Sequence, residues 1–187
     1  TLAEFKKRFN ALKAYPLERT PPDSPRRYQL DCIAEAKERN LIVNLPTGTG
    51  KTLIAVALID HYISSDASKK AVFVVPTRAL VSQQSGYIRT HSSSIKTLRV
   101  TECSDDLAYR WTATDWEQCL SESDVVVATA EVVRKALVDN GFMDISRLGF
   151  MTLDECHRTV GNNPMAQIMY DALLPAADRP RLLGLTA

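Results

Sequence analysis

An α/β fold in three layers, built on a mostly parallel sheet, is what this sequence predicts, and three observations predict it. Short apolar runs alternate with longer stretches of helical spacing. The connecting stretches are long enough to cross from one parallel strand to the next. Two polar motifs sit immediately after apolar runs, where such sheets place their ligands.

The apolar runs 41–45, 71–75, 124–128, 149–153 and 182–185 read as buried strands, and 96–100 as a sixth. Segments 27–39, 51–63, 78–88, 131–138 and 165–173 carry apolar residues at helical intervals. Continuous rather than alternating apolar strands indicate a sheet covered on both faces. Residues 1–25 differ in character. Leu2, Phe5, Phe9 and Leu12 fall on one helical face beside Lys6, Lys7 and Arg8, and Pro21, Pro22 and Pro25 end the pattern. The expected organisation is therefore an N-terminal helix and Pro-rich linker over 1–25, then one domain over 26–187. The helix is expected to pack on this domain or on a neighbour, with a basic nucleic-acid arm as the alternative.

A net charge of +1 means that any nucleic-acid surface is a local patch and not a global bias. The four cysteines are widely spaced and form no C-x-x-C pair, which points away from zinc and from a disulfide framework. No signal-peptide pattern is visible, and the longest apolar stretch, 53–59, is too short to span a bilayer. A cytoplasmic or nuclear setting is expected. The chain stops on an apolar run, which reads as a fragment cut from a larger protein.

The chemistry is concentrated in two motifs. Pro46, Thr47, Gly48, Thr49, Gly50, Lys51 and Thr52 lie between the first strand and a helix, the context a phosphate-binding loop requires. Gly48 and Gly50 let the backbone curl its N–H groups inward, and the helix N-terminus favours anionic phosphates. Lys51 is placed to reach the β- and γ-phosphates of a nucleoside triphosphate, and the Thr52 hydroxyl to ligate Mg²⁺. Leu45 stands where the strict phosphate-loop pattern has glycine. The second motif, Asp154, Glu155, Cys156 and His157, follows the run 149–153. Asp154 is the expected Mg²⁺ partner, and Glu155 is then free to orient or deprotonate the attacking water. His157 lacks zinc-ligand partners and reads as a coupling or structural residue.

Taken together these residues resemble the first RecA-like domain of superfamily 2 helicases, within the P-loop NTPases. The Asp-Glu-Cys-His wording is similar to the branch that contains Dicer helicase domains and viral-RNA sensor helicases. The runs 26–31, 44–48 and 182–187 look most like Dicer-like proteins. The resemblance spans about residues 26–187 and implies an ATP-dependent RNA helicase or double-stranded-RNA translocase using ATP and Mg²⁺. Gln29 looks like the Q-motif glutamine, whose amide can match the N6 and N7 edge of adenine; a plain surface glutamine is the alternative. Thr77 and Arg78 look like motif Ia, and Thr129 lies in a further nucleic-acid motif. Both follow strands and suit backbone phosphate contacts that carry little sequence preference. Arg78 as an ordinary solvated residue stays open. Thr186 begins motif III, and with His157 it would couple nucleotide state to the nucleic-acid face.

The resemblance also implies a second RecA-like domain of the same parent chain that carries the arginine fingers, so weak ATP turnover is expected of this segment alone. Two rivals remain: a DNA translocase of the same superfamily, and a duplex-RNA-sensing module with little turnover. Trp111 and Trp116 are expected to pack, with stacking on bases as the alternative.

Overall fold

A computed structural model describes residues 25–93, 97–104, 108 and 110–187. The expected N-terminal helix lies outside the described residues. The chain runs α1 (Arg27–Glu38), β1 (Leu41–Asn44), α2 (Lys51–Ser65), β2 (Lys70–Val75), α3 (Arg78–His91), β3 (Val100–Cys103), α4 (Ala113–Glu122), β4 (Val125–Thr129), α5 (Ala130–Arg134), β5 (Leu148–Leu153), α6 (Pro164–Gln167) and β6 (Arg181–Thr186). Helix α5 continues into a π turn, Lys135–Asp139, and α6 into another, Ile168–Leu173.

The six strands form one sheet in the order β1-β6-β5-β2-β4-β3, with every pairing parallel. Strand β2 lies between β5 and β4 and is buried along its whole length, which explains the apolar run 71–75 that follows Lys70. Successive side chains serve opposite faces. Ala71, Phe73 and Val75 join Ile54, Leu58 and Ile59 of α2 in one core. Val72 and Val74 join Trp116 and Leu120 of α4 and Val133 of α5 in the other. Tyr62 of α2 stacks on Phe150 of β5 with centroids 5.1 Å apart.

Two features differ from the sequence reading. The third strand is Val100–Cys103 rather than 96–100. It is an edge strand whose Thr101 and Glu102 are only partly buried, so its sequence lacks an apolar run. Its start is set by a neighbour: Asp124 accepts from the Arg99 backbone N–H at 3.0 Å and from the Arg99 guanidinium at 2.8 Å. Helix α4 is a further element. Its N-cap Thr112 and Asp115 form a reciprocal capping box, and Trp116, Cys119 and Leu120 make its buried stripe. Trp116 is core, with Trp111 edge-on at 4.9 Å, as the packing expectation has it.

The sheet order has a direct consequence for function. The carboxyl ends of β1, β6 and β5 are neighbours, so the loop after β1 and the acids after β5 stand two strand spacings apart, about 10 Å. The ends of β2 and β4, with Thr77 and Thr129, lie next along the same edge.

Candidate nucleotide and nucleic-acid site

The phosphate loop is shaped by its glycines. Gly48 and Gly50 take φ of 81° and 78°, the left-handed region that side chains disfavour. Thr49 closes a turn inside the loop: its hydroxyl donates to Pro46 O at 2.7 Å. The first-turn N–H groups of Lys51 and Thr52 then have no acceptor within α2 and face the loop. The Lys51 ammonium donates to Leu45 O at 2.6 Å and to Pro46 O at 3.4 Å, so it is held across the loop by two carbonyls. Thr52 is half-buried on the next position of α2.

Helix α1 braces this loop from behind. Tyr28 donates its hydroxyl to Thr49 O at 2.6 Å. Gln29 is buried, and its amide nitrogen donates to Thr49 O and Gly50 O, both at 3.1 Å. Its amide oxygen accepts from Arg26 N–H at 2.6 Å. Both ends of the amide are thus engaged by protein, and Gln29 acts here as a strut for the loop. The surface alternative does not hold, and an adenine contact would require exchange or sharing of these bonds. A side chain at position 50 would meet Gln29 Nε2 at 2.5 Å, so a substitution there would displace the Gln29 amide as well as strain the φ of 78°.

Asp154 is buried at the end of β5, and its N–H extends the ladder to Val74 O at 2.9 Å. Burial raises its carboxyl above the usual range, as does the neighbouring Glu155 charge; the Glu155 N–H and the Lys51 charge oppose this in part. A desolvated carboxylate facing a lysine suits a cation, which would restore its ionised form. Glu155 takes φ 52° and ψ 46°, the only positive φ among the described non-glycine residues. Such a conformation costs about 1–2 kcal/mol and here turns the chain out of β5 into the 3-10 turn that follows. The following 3-10 turn, Cys156–Arg158, brings His157 Nδ1 to 2.8 Å from Thr186 Oγ1 and 3.3 Å from Glu155 Oε2. The acid box and the end of β6 are therefore in contact through one imidazole.

Gly184 makes that contact possible, and it escaped the sequence reading. A Cβ there would stand 2.8 Å from Cys156 Sγ and 3.2 Å from Ile42 Cγ1. The turn lies directly on β6 because this position has no side chain.

The residues expected at nucleic acid are brought together in a groove of about 260 Å³ lined by Thr77, Arg78 and Thr129. Thr77 and Arg78 are exposed at the start of α3, and the Thr77 hydroxyl makes no capping bond. Thr129 is buried; its hydroxyl caps α5 by accepting from Val132 N–H at 3.4 Å. Its capping role had no counterpart in the sequence reading.

This geometry defines a helicase-type nucleotide-binding domain, the first RecA-like domain of superfamily 2. The chain belongs to the family described as type III restriction enzyme, res subunit, whose model matches residues 22–187. It is 35% identical over 167 residues to endoribonuclease Dicer of Danio rerio, covering 88% of this chain and 9% of that protein. It is 36% identical over 171 residues to Dicer-like protein 2 of Aspergillus oryzae, covering 87% of this chain and 12% of that protein. The chain thus spans about a tenth of the length of these relatives. The crystal structure of the Pyrococcus furiosus Hef helicase domain superposes with a TM-score of 0.72 at 29% identity, covering 87% of this chain and 33% of that one.

Proposed function

We propose that this chain is the ATP-binding motor half of an ATP-dependent RNA helicase or double-stranded-RNA translocase in a Dicer-like ribonuclease. The observation that carries the reading is that the loop after β1, with Lys51 and Thr52, and the acids after β5, Asp154 and Glu155, stand at the same edge of the sheet on either side of β6, with a separate groove at the ends of β2 and β4. The similarity to endoribonuclease Dicer and to Dicer-like protein 2 supports RNA, and we take double-stranded RNA as the substrate.

ATP enters with its phosphates against the loop N–H groups, and Lys51 exchanges the carbonyls of Leu45 and Pro46 for phosphate oxygens. Gln29 and Tyr28 hold the loop open for that exchange. Contact of Gln29 with adenine is an exchange of the same kind, which would bias the site towards ATP. Thr52 and Asp154 would hold Mg²⁺. One hydroxyl and one buried carboxylate fit an ion that takes its remaining ligands from phosphates and water. When bound, Mg²⁺ neutralises charge on the β- and γ-phosphate oxygens. Glu155 orients the attacking water and takes its proton as the bond from the γ-phosphorus to the bridging oxygen breaks. His157 carries the change at Glu155 to Thr186.

Thr77, Arg78 and Thr129 face the RNA backbone. A second RecA-like domain of the parent chain supplies the arginine fingers, worth ~10³–10⁵ in rate, so this segment alone binds ATP weakly and turns it over poorly. Residence in the cytoplasm or nucleus goes with this reading; among the described residues no helix is long and apolar enough to cross a membrane.

The test is steady-state ATP hydrolysis by the chain extended through its second motor domain, with duplex RNA, single-stranded RNA and duplex DNA titrated separately and Lys51→Ala as control. Stimulation by duplex RNA is expected. Stimulation by DNA alone would move the protein to DNA translocation, the rival of the same superfamily. Binding without stimulation would leave a duplex-RNA-sensing module.

A further inference from the structure

The turn that carries the two acids also carries a cation that the nucleotide site does not use. Arg158 ends the turn Cys156–Arg158, its side chain is exposed, and it lines the same groove of about 260 Å³ as Thr77, Arg78 and Thr129. We propose that Arg158 binds a backbone phosphate of the RNA, so that the acidic turn is itself part of the nucleic-acid surface. This deepens the proposed function and rests on its reading of the groove.

Charge favours an anion in the groove. Among the described residues two arginines line it, and the one lining carboxylate, Glu131, is paired with Arg134, whose guanidinium donates to it at 2.8 and 3.2 Å. Asn163 also lines the groove, and its amide oxygen accepts from Met165 N–H at 3.0 Å. No aromatic side chain is among the described residues that line it, so there is no platform for base stacking. Its volume is below the ~300–1,000 Å³ of typical small-molecule pockets. An open, cationic, donor-lined groove of this size suits a strand passing through by its phosphates.

The position of Arg158 adds a consequence. Its N–H donates to Glu155 O at 2.9 Å, and Thr159 N–H donates to Cys156 O at 3.0 Å. A phosphate held by Arg158 is therefore tied through one short turn to the backbone of Glu155. Arg78 and Thr129 reach the groove from other elements, the start of α3 and the end of β4.

The experiment is a fluorescence-anisotropy titration of labelled duplex RNA with this chain at a series of KCl concentrations, for wild type, Arg158→Gln, Arg158→Lys and Arg78→Gln, each with a thermal melt. Arg158→Gln is expected to weaken binding several-fold and to reduce the slope of log affinity against log salt by about 0.7–1, one phosphate contact. Arg158→Lys keeps the charge and is expected to keep the slope. Wild-type affinity and slope in Arg158→Gln, with both reduced in Arg78→Gln, would overturn the inference and leave the groove reading standing. A loss of slope in Arg158→Lys at an unchanged melt would overturn it too, and serves if Arg158→Gln melts early. Absence of salt-dependent RNA binding by the wild-type chain would overturn the inference and the groove reading together.

Discussion

Replacing Gly184 with alanine should damage the acid box from a strand that touches no ligand. The new Cβ would stand 2.8 Å from Cys156 Sγ, closer than van der Waals contact allows, and 3.3 Å from Cys156 Cβ, a tight contact. Ile42 Cγ1, at 3.2 Å, can rotate away because Ile42 is 69% exposed. Cys156 has less freedom: it is half-buried, packed against the second core and held in the 3-10 turn. Overpacking of this kind costs about 1–3 kcal/mol. For a domain of this size that is a fall of about 2–12 °C in melting temperature. Cys156→Ala removes the obstructing sulfur and, at a half-buried site, should cost about 1 kcal/mol or less. The alanine at 184 then occupies the vacated space, so the double variant should be more stable than the two single losses predict by at least about 0.5 kcal/mol. Urea melts of the four proteins measure this. Additive losses, or Gly184→Ala as stable as wild type, would refute the claim that the turn rests on β6 through this glycine.

Other outcomes follow from the same geometry. Burial and Glu155 raise the Asp154 carboxyl, so the native state prefers it protonated and loses stability as pH rises through that raised value. Asp154→Asn should therefore be more stable than wild type at pH 7. The gain should shrink as pH falls and vanish below about 3.9, the unfolded value, in urea melts at pH 7, 5 and 3.5; a less stable variant at pH 7 would contradict the burial argument. Gln29→Ala strips the carbonyls of Thr49 and Gly50 of their brace. It should cost about 1–3 kcal/mol and speed hydrogen exchange at residues 49–51, whereas a surface glutamine would change neither. Trp116→Ala should cost about 3–5 kcal/mol by thermal or urea unfolding, since the ring is 2% exposed; an unchanged melt with lost RNA binding would instead support base stacking.

Residues acting through contiguous sequence were legible before the structure. The phosphate loop is one run between a strand and a helix, and Asp154 and Glu155 adjoin, so their placement at strand ends could be read from the sequence. Strands buried on both faces were legible from their apolar runs. Edge strand β3 was displaced because Thr101 and Glu102 break its pattern, and α4 was missed because its stripe reduces to Trp116, Cys119 and Leu120. The π turns after α5 and α6 shift the helical interval and carry no sequence signal. Contacts between distant segments were not legible. Gln29 meets Gly50 because α1 packs behind the loop, and Gly184 underlies Cys156 and Thr186 reaches His157 because the sheet sets β6 beside β5. Arg158 reads as one more solvated cation until the groove shows what lies beside it.

The central claim is that Lys51 and Asp154 belong to one Mg²⁺-dependent nucleotide site. Equilibrium binding of a fluorescent, non-hydrolysable ATP analogue to this chain tests it most directly, with and without Mg²⁺, in wild type, Lys51→Ala and Asp154→Asn. Weak, saturable, Mg²⁺-dependent binding is predicted for wild type. Lys51→Ala should lose affinity by tenfold or more, and Asp154→Asn should lose the Mg²⁺ dependence. Equal binding by all three proteins, or none by wild type at millimolar analogue, would contradict the account.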